Sequence, residues 1–218
     1  MSCVLFDFDS TLITRESMEE ILAPKLQHDP RLAAKMQEIT DLGMAGEIAF
    51  GESLQRRLAL AEPTLEDVAR FGQTALQLMT AGMPELVSAL HRRGIAVFIV
   101  SGGMREAILP VAQALDIPPD RVHAVRLKWT ESGQFGGIDP DDGNSFSKLD
   151  ATRAWIGHCS QPRVMVGDGM TDYQLYQEGL TTHFVAFTAN IRRQAVVATG
   201  APEAENVATL SRYLEQWV

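Results

Sequence analysis

Apolar positions recur along this chain in two rhythms. Four short runs rich in β-branched and aromatic residues, Val4-Leu5-Phe6, Ile95 to Val100, Val164-Met165-Val166 and Phe184 to Phe187, read as buried strands. Between them the spacing is helical and punctuated. Pro84 opens a helix whose Leu86 and Leu90 share a face and Gly94 closes it, while Asn190 is expected to cap another that Gly200 ends. Pro110 falls inside the apolar pattern from Met104 to Leu115 and is expected to kink that helix. Strand and helix in alternation predict an α/β fold, a doubly wound and mostly parallel sheet covered on both faces.

From Arg15 to about Thr74 the texture changes to amphipathic helical spacing with no strand candidate. Asp29-Pro30 is a cap followed by a first-turn proline, Gly43 a stop, and Thr64-Leu65-Glu66-Asp67 resembles a capping box. Residues 15–74 are therefore expected to form a helical cap, and residues 1–14 and 75–218 the α/β core. Because the insert begins soon after the first strand, it should sit as a lid over the carboxyl edge of the sheet. Further on, Val122 to Leu127 and Gln134 to Ile138 flank Glu131-Ser132-Gly133, the pattern of a β-hairpin near 122–138.

Composition narrows the partners. The 218 residues carry a formal net charge of −9 with no basic concentration, so no nucleic acid is expected as a partner. The run Ile95 to Val100 is too short to cross a bilayer, and the first residues lack a basic, apolar leader. A soluble, cytoplasmic protein with no membrane partner is the expectation. Cys3 and Cys159 stand far apart without paired spacing, which suits a reducing compartment and argues against a zinc knuckle.

Three of the four strands run into polar or glycine-rich residues: Asp7-Phe8-Asp9-Ser10-Thr11, Ser101-Gly102-Gly103, and Gly167-Asp168-Gly169-Met170-Thr171-Asp172. Ligands of open parallel sheets bind outside the carboxyl ends of the strands, so the active site is placed there. The fourth strand ends in Thr188-Ala189-Asn190, which reads as a helix cap. Residues two apart in extended chain project to one side, so Asp7 and Asp9 face a common point, and Asp168 adds a third oxygen donor. Acidic residues at strand ends are also ordinary turn formers. Clustered, they repel unless a hard cation binds or a proton is shared, and Mg²⁺ leaves room for a phosphate oxygen in its shell. Lysine is scarce in this chain, and Lys148, between the second and third acidic segments, is a compact charge suited to a phosphoryl group. No histidine falls within these segments, and Arg92-Arg93 and Arg192-Arg193 are taken as surface charge.

Asp7-Phe8-Asp9-Ser10-Thr11-Leu12, Val100-Ser101-Gly102-Gly103, Lys148 and Val166-Gly167-Asp168-Gly169-Met170-Thr171-Asp172 resemble, in order, the four motifs of the haloacid dehalogenase superfamily of phosphohydrolases. The resemblance runs from about Val4 to Trp217 and is nearest to the members that hydrolyse O-phosphoserine. It implies a Rossmann-like core with a helical cap and a Mg²⁺-dependent reaction through an aspartyl-phosphate. By the same resemblance Asp7 is the nucleophile and Asp9 the acid that protonates the leaving oxygen and then the base that activates water. Ser101 and the Gly102 amide hold phosphate oxygens, and Lys148 neutralises them. Asp168 binds the metal with Asp7 and the Asp9 carbonyl, while Asp172 orients the metal's waters or Lys148. Position 171 is Thr where relatives have Asn, so its phosphate contact is left open.

Substrate choice is expected from the insert, where Glu16, Met44, Phe50 and Arg57 match the family's substrate positions. A zwitterionic amino acid needs a carboxylate for its ammonium and a forked guanidinium for its carboxylate. Glu16 and Arg57 supply that pair, and Met44 and Phe50 an apolar wall. Transfer of the phosphoryl group to an alcohol such as homoserine shares every core motif. A receiver-type signalling module shares the acidic cluster and lysine but gives Asp9 no task. The length leaves no room for an appended amino-acid-sensing domain, and the oligomeric state, monomer or homodimer, is not legible.

Overall fold

In the computed structural model, which describes residues 1–44 and 47–218 and all their side chains except those of residues 41, 43, 44 and 50, six strands form one parallel sheet. They are β1 (Cys3–Phe6), β2 (Ala96–Met104), β3 (Val122–Val125), β6 (Arg163–Gly167), β7 (His183–Phe187) and β8 (Glu203–Ala204). Their order across the sheet is β3-β2-β1-β6-β7-β8, so the direction of winding reverses between β1 and β6. The crevice at such a reversal is where open sheets place their ligands. Phe6 lies opposite Val166 in register, which sets Asp7 and the residues after Gly167 at that crevice.

Alternation along the strands explains the layers. Val4, Phe6, Val97, Ile99, Val164 and Val166 enter one apolar cluster, while Cys3, Leu5, Ala96, Val100 and Met165 enter the other. Each strand thus buries both faces, the reason these segments read as unbroken apolar runs. The first cluster is covered by α5 (Met83–Arg92), α6 (Arg105–Ala114) and α10 (Val207–Trp217), the second by α8 (Met170–Gln177) and α9 (Gln194–Val197). Cys3 and Cys159 meet in the second cluster, and burial first, then the neighbouring Cys159, pushes the Cys3 thiol up. Their separation in sequence concealed this.

Between Ser17 and Ala75 the described residues form four helices: α1 (Ser17–His28), α2 (Pro30–Met44), α3 (Phe50–Ala61) and α4 (Leu65–Ala75). The segments entering and leaving them are bonded together, Thr14 N–H to the Leu78 carbonyl and Thr80 N–H to that of Leu12, both at 2.9 Å. Met18, Leu22, Leu54, Leu58, Val68 and Phe71 join the first apolar cluster. Each such side chain contributes about 1.5–3 kcal/mol when fully buried, which is what holds helices of modest intrinsic stability. Asp29 accepts from the N–H groups of Arg31 and Leu32, at 2.9 and 3.1 Å, and Thr64 and Asp67 form the reciprocal capping box.

Burial pulls the Asp67 carboxyl up, but its bonds to Thr64 and the charges of Lys25 and Arg70 outweigh this and hold it below the usual carboxylate range. A depressed carboxyl stabilises above its unfolded value of about 3.9 and loses that contribution as pH falls through the folded one. Thr64→Ala is accordingly expected to cost about 1 kcal/mol near pH 7 and to flatten the acid limb of stability, as read by thermal melts across pH.

One expectation changes. The segment Val122 to Leu127 is not one arm of a hairpin: Val122–Val125 is β3, an edge of the main sheet, while β4 (Leu127–Trp129) pairs with β5 (Phe135–Ile138). Periodicity identifies a strand and not its partner. Pro110 lies inside α6, which remains a single helix; its ring packs against Gly72 of α4, where a Cβ would come within 2.9 Å.

Candidate active site

After β1 the backbone makes one wide π-type turn over Phe8–Leu12, opened by Asp7, whose N–H donates to the Val166 carbonyl at 2.9 Å. Ser10 sits at φ 52°, a conformation costing a non-glycine residue about 1–3 kcal/mol. Three bonds hold it there: its N–H to the Arg15 carbonyl at 3.1 Å, its Oγ to Glu16 Oε1 at 2.7 Å, and Asn190 Nδ2 to its carbonyl at 3.1 Å. Asn190 Nδ2 also donates to Thr80 Oγ1 at 2.7 Å, and Thr80 Oγ1 to the Thr11 carbonyl at 2.8 Å. Asn190 is therefore not the expected helix cap; Arg193 occupies the cap position of α9, and Asn190 clasps the turn that carries Asp7 and Asp9.

One oxygen each of Asp7, Asp168 and Asp172 lie within 4.8 Å of one another. Lys148, the first residue of α7 (Lys148–Arg153), reaches them with Nζ 3.0 Å from Asp7 Oδ1 and 2.6 Å from Asp172 Oδ1. Burial opposes its charge, but Asp172 and Asp7 outweigh burial and keep the ammonium firmly protonated. Asp172 is fully buried and its carboxyl is pushed up by burial and by Asp7 against the pull of Lys148. Asp168 is pushed up by burial and Asp7 against Arg193. Glycine at 167 makes the packing possible, since a Cβ there would fall 2.3 Å from Asp172 Oδ2. Three crowded carboxylates with two neighbouring cations still carry excess negative charge, and an all-oxygen donor set of this kind fits a hard metal ion.

Asp9 is not one of that trio. Its Oδ1 accepts the Ser17 N–H at 2.8 Å and its Oδ2 the Ser17 hydroxyl at 3.0 Å. Burial, then Asp7 and Glu16, raise its carboxyl well above the usual range, while the Ser17 bonds hold it down. Ser101 is buried, and its Oγ accepts the Gly103 N–H at 2.9 Å. A Cβ at Gly103 would lie 3.1 Å from Ser17 Oγ, 3.2 Å from Ser101 Oγ and 3.4 Å from Asp9 Oδ2, so the third motif residue of that run is what lets these groups converge. Ser17 was not singled out from sequence. Its only signal was its place at the first position of a helix following an acidic motif.

Arg193 was assigned to surface charge and is not. Its Nε donates to Asp168 Oδ2 at 2.6 Å and its Nη2 to Glu16 Oε1 at 2.9 Å, whereas Arg192 pairs with Glu203 at the surface. The available signal was position: Arg193 follows the carboxyl end of β7, as Asp7 follows that of β1 and Asp168 that of β6. Glu16 Oε1 takes both Ser10 and Arg193, and among the described residues its Oε2 has no hydrogen bond. Arg57, on α3, makes no ion pair among the described residues; its Nε contacts only the Ser53 carbonyl at 3.4 Å. Burial lowers its guanidinium, partly offset by Glu19 and Glu16. Glu16 is thus paired with Arg193 rather than with Arg57. Thr171 is exposed in the first turn of α8, and the side chains of Met44 and Phe50 lie outside the described residues.

The arrangement gathers the Asp7, Asp168 and Asp172 carboxyls, the Lys148 ammonium, the Ser101 hydroxyl and the Asp9 carboxyl at one sheet edge, a set able to hold an anion together with a cation. No helix among the described residues is long and apolar enough to cross a membrane. The family model for haloacid dehalogenase-like hydrolases matches residues 4–177. Phosphoserine phosphatase of Homo sapiens is 34% identical over 197 residues, covering 88% of this chain and 84% of its own. A phosphoserine phosphohydrolase-like protein from Francisella tularensis subsp. tularensis SCHU S4 superimposes with a TM-score of 0.90 at 41% identity, covering 98% of this chain and 99% of its own. A substrate-bound phosphoserine phosphatase complex superimposes at 0.71 with 25% identity, covering 97% of each. With its motifs gathered at the reversal point of a doubly wound sheet, the chain belongs to the haloacid dehalogenase-like hydrolase family.

Proposed function

We propose that this protein hydrolyses O-phospho-L-serine to serine and inorganic phosphate. The core chemistry is supported by the Asp7–Lys148–Asp172–Asp168 cluster beside Ser101. Asp7 Oδ1 accepts both the Phe8 N–H at 2.8 Å and Lys148, which leaves Oδ2 as the oxygen that attacks phosphorus. The P–O bond to the ester oxygen breaks as the Asp7–phosphorus bond forms, and Asp9, whose raised carboxyl favours the protonated form, supplies the proton to the departing serine oxygen. Asp9 then takes a proton from water as the aspartyl-phosphate is hydrolysed. Ser101 Oγ and the Gly102 N–H hold phosphate oxygens, and Lys148 balances their charge. A divalent cation, Mg²⁺ by the hardness of the donors, would be held by Asp7, Asp168 and the Asp9 carbonyl and would neutralise negative charge on the transferred group. Asp172 fixes Lys148.

The observation that carries the substrate is a carboxylate and a half-buried guanidinium, Glu16 and Arg57, near enough to feel each other's charge yet unpaired with one another. Glu16 Oε2 receives the substrate ammonium and Arg57 its carboxylate. The names of the relatives, phosphoserine phosphatases, support the same ester. Two buried free thiols fit a reducing, cytoplasmic setting. Arg57→Ala is expected to raise KM for O-phosphoserine on the order of 10–100-fold, the ~1.5–3 kcal/mol of a charge-assisted contact, and to leave an artificial aryl phosphate almost unaffected. Steady-state phosphate release on both esters decides it; equal losses would refute the assigned substrate.

A further inference from the structure

The four helices touch the sheet-bearing part of the chain unevenly, and the unevenness singles out Gly51. At its carboxyl end α3 is anchored. Lys25 Nζ donates to the Ala61 carbonyl at 2.9 Å and also to that of Glu62. Just beyond, the Leu65 N–H donates to the Gly133 carbonyl at 2.9 Å, tying the start of α4 to the β4–β5 hairpin tip. At its amino end α3 rests on the loop before Lys148, and it does so through a residue with no side chain. A Cβ on Gly51 would lie 2.8 Å from the Ser145 carbonyl oxygen, 3.4 Å from Phe146 Cδ1 and 3.5 Å from Phe146 Cα.

The loop is braced from within. Ser145 is buried, its N–H donates to Asp142 Oδ2 at 3.0 Å and its Oγ to the Asp142 carbonyl at 3.1 Å. Asn144 Nδ2 holds Asp142 Oδ1 at 2.9 Å, and Asp142 is itself buried. Two residues further Ser147 Oγ caps α7 by accepting the Asp150 N–H at 3.0 Å, and α7 begins with Lys148, which touches Asp7. A side chain at position 51 presses on this braced loop, and the amino end of α3 is expected to lift from it. At about 1.5 Å of rise per residue, Arg57 lies about 9 Å along α3 from Gly51, and a tilt about the Ala61 end moves it by about two-fifths of the lift.

We infer that Gly51 is a specificity-determining position: its bare Cα against Ser145 and Phe146 sets the distance between Arg57 and the Asp7–Lys148 centre, and hence the size of ester the site accepts. This rests on the proposed role of Arg57. Small esters of an amino acid must span from Asp7 to Arg57, so their affinity falls as the gap widens; an aryl phosphate that does not use Arg57 is indifferent.

The test compares Gly51→Ala, Gly51→Leu and Arg57→Ala in the full chain with saturating Mg²⁺, measuring KM and kcat for O-phosphoserine and for an aryl phosphate together with melting temperature. Alanine is the better helix former, which offsets part of the cost of the close approach, so Gly51→Ala should melt only a few degrees below the parent at most. KM for O-phosphoserine should rise severalfold in Gly51→Ala and by about tenfold or more in Gly51→Leu, a misplacement approaching the ångström scale, with aryl phosphate turnover kept. An unchanged KM in Gly51→Leu, or equal losses on both esters in Gly51→Ala, overturns the inference. A selective loss in Arg57→Ala without one in Gly51→Leu overturns it while leaving the substrate reading intact. Equal losses in Arg57→Ala overturn both.

Discussion

Asp7→Asn is expected to abolish phosphate release while leaving the protein folded and no less heat-stable without added metal. The amide oxygen is a poor nucleophile, so the route through a covalent phosphoryl-enzyme closes. Unaided hydrolysis of phosphate monoesters is slow enough that enzymes accelerate it by up to ~10²¹, and removing a covalent nucleophile elsewhere costs about 10⁶-fold in kcat. A fall on the order of 10⁴-fold or more is the expectation here. The stability half of the result has its own cause. Asp7 is among the charges that push both Asp168 and Asp172 upward. Removing its charge relieves that repulsion, while Lys148 keeps Asp172 at 2.6 Å. Acid-quenched parent protein incubated with labelled substrate should carry a base-labile phosphoryl group, and the variant none. Substantial steady-state turnover in a homogeneous Asp7→Asn preparation would exclude Asp7 as the nucleophile.

That result would test a part of the site that is legible in the sequence. Asp7, Asp168 and Lys148 could be read because each sits at the end, or in the order, of apolar runs that only a buried parallel strand explains, and the sheet's reversal between β1 and β6 brings them together. Ser17, Asn190 and Arg193 were hidden for the complementary reason. Asn190 acts on the turn at Ser10 and Arg193 on Glu16 and Asp168 across long separations, while Ser17 meets Asp9 only because the chain reverses between them. Local spacing carries no trace of such a partner, so the default for a lone Asn is a cap and for paired Arg a solvated face. The split of Val122 to Leu127 between sheet edge and hairpin was equally illegible, because apolar alternation fixes a strand's faces and leaves its neighbour open.

Gly167→Ala should be severely damaging for a change that adds a single carbon. The new Cβ would fall 2.3 Å from Asp172 Oδ2, 2.4 Å from its Cγ and 2.7 Å from its Cβ, distances no rotamer adjustment of a methyl group can relieve. Asp172 must move, and it is fixed on two sides, accepting the Gly169 N–H at 3.0 Å and Lys148 Nζ at 2.6 Å. Overpacking alone costs about 1–3 kcal/mol. Displacement also strips a buried carboxylate of its ammonium, and breaking a buried pair costs about 3–5 kcal/mol. Partial relaxation makes the sum smaller than the two together, so a loss of roughly 3–5 kcal/mol is expected, read as a lowered midpoint in denaturant. Activity should fall further than stability explains, because a Lys148 released from Asp172 no longer holds its charge beside Asp7. Adding Asp172→Asn separates the effects: in the double variant the repulsion among carboxylates drops, so part of the stability returns while turnover does not. A Gly167→Ala protein with parental midpoint and parental kcat would show that Asp172 neither packs against residue 167 nor sets the position of Lys148.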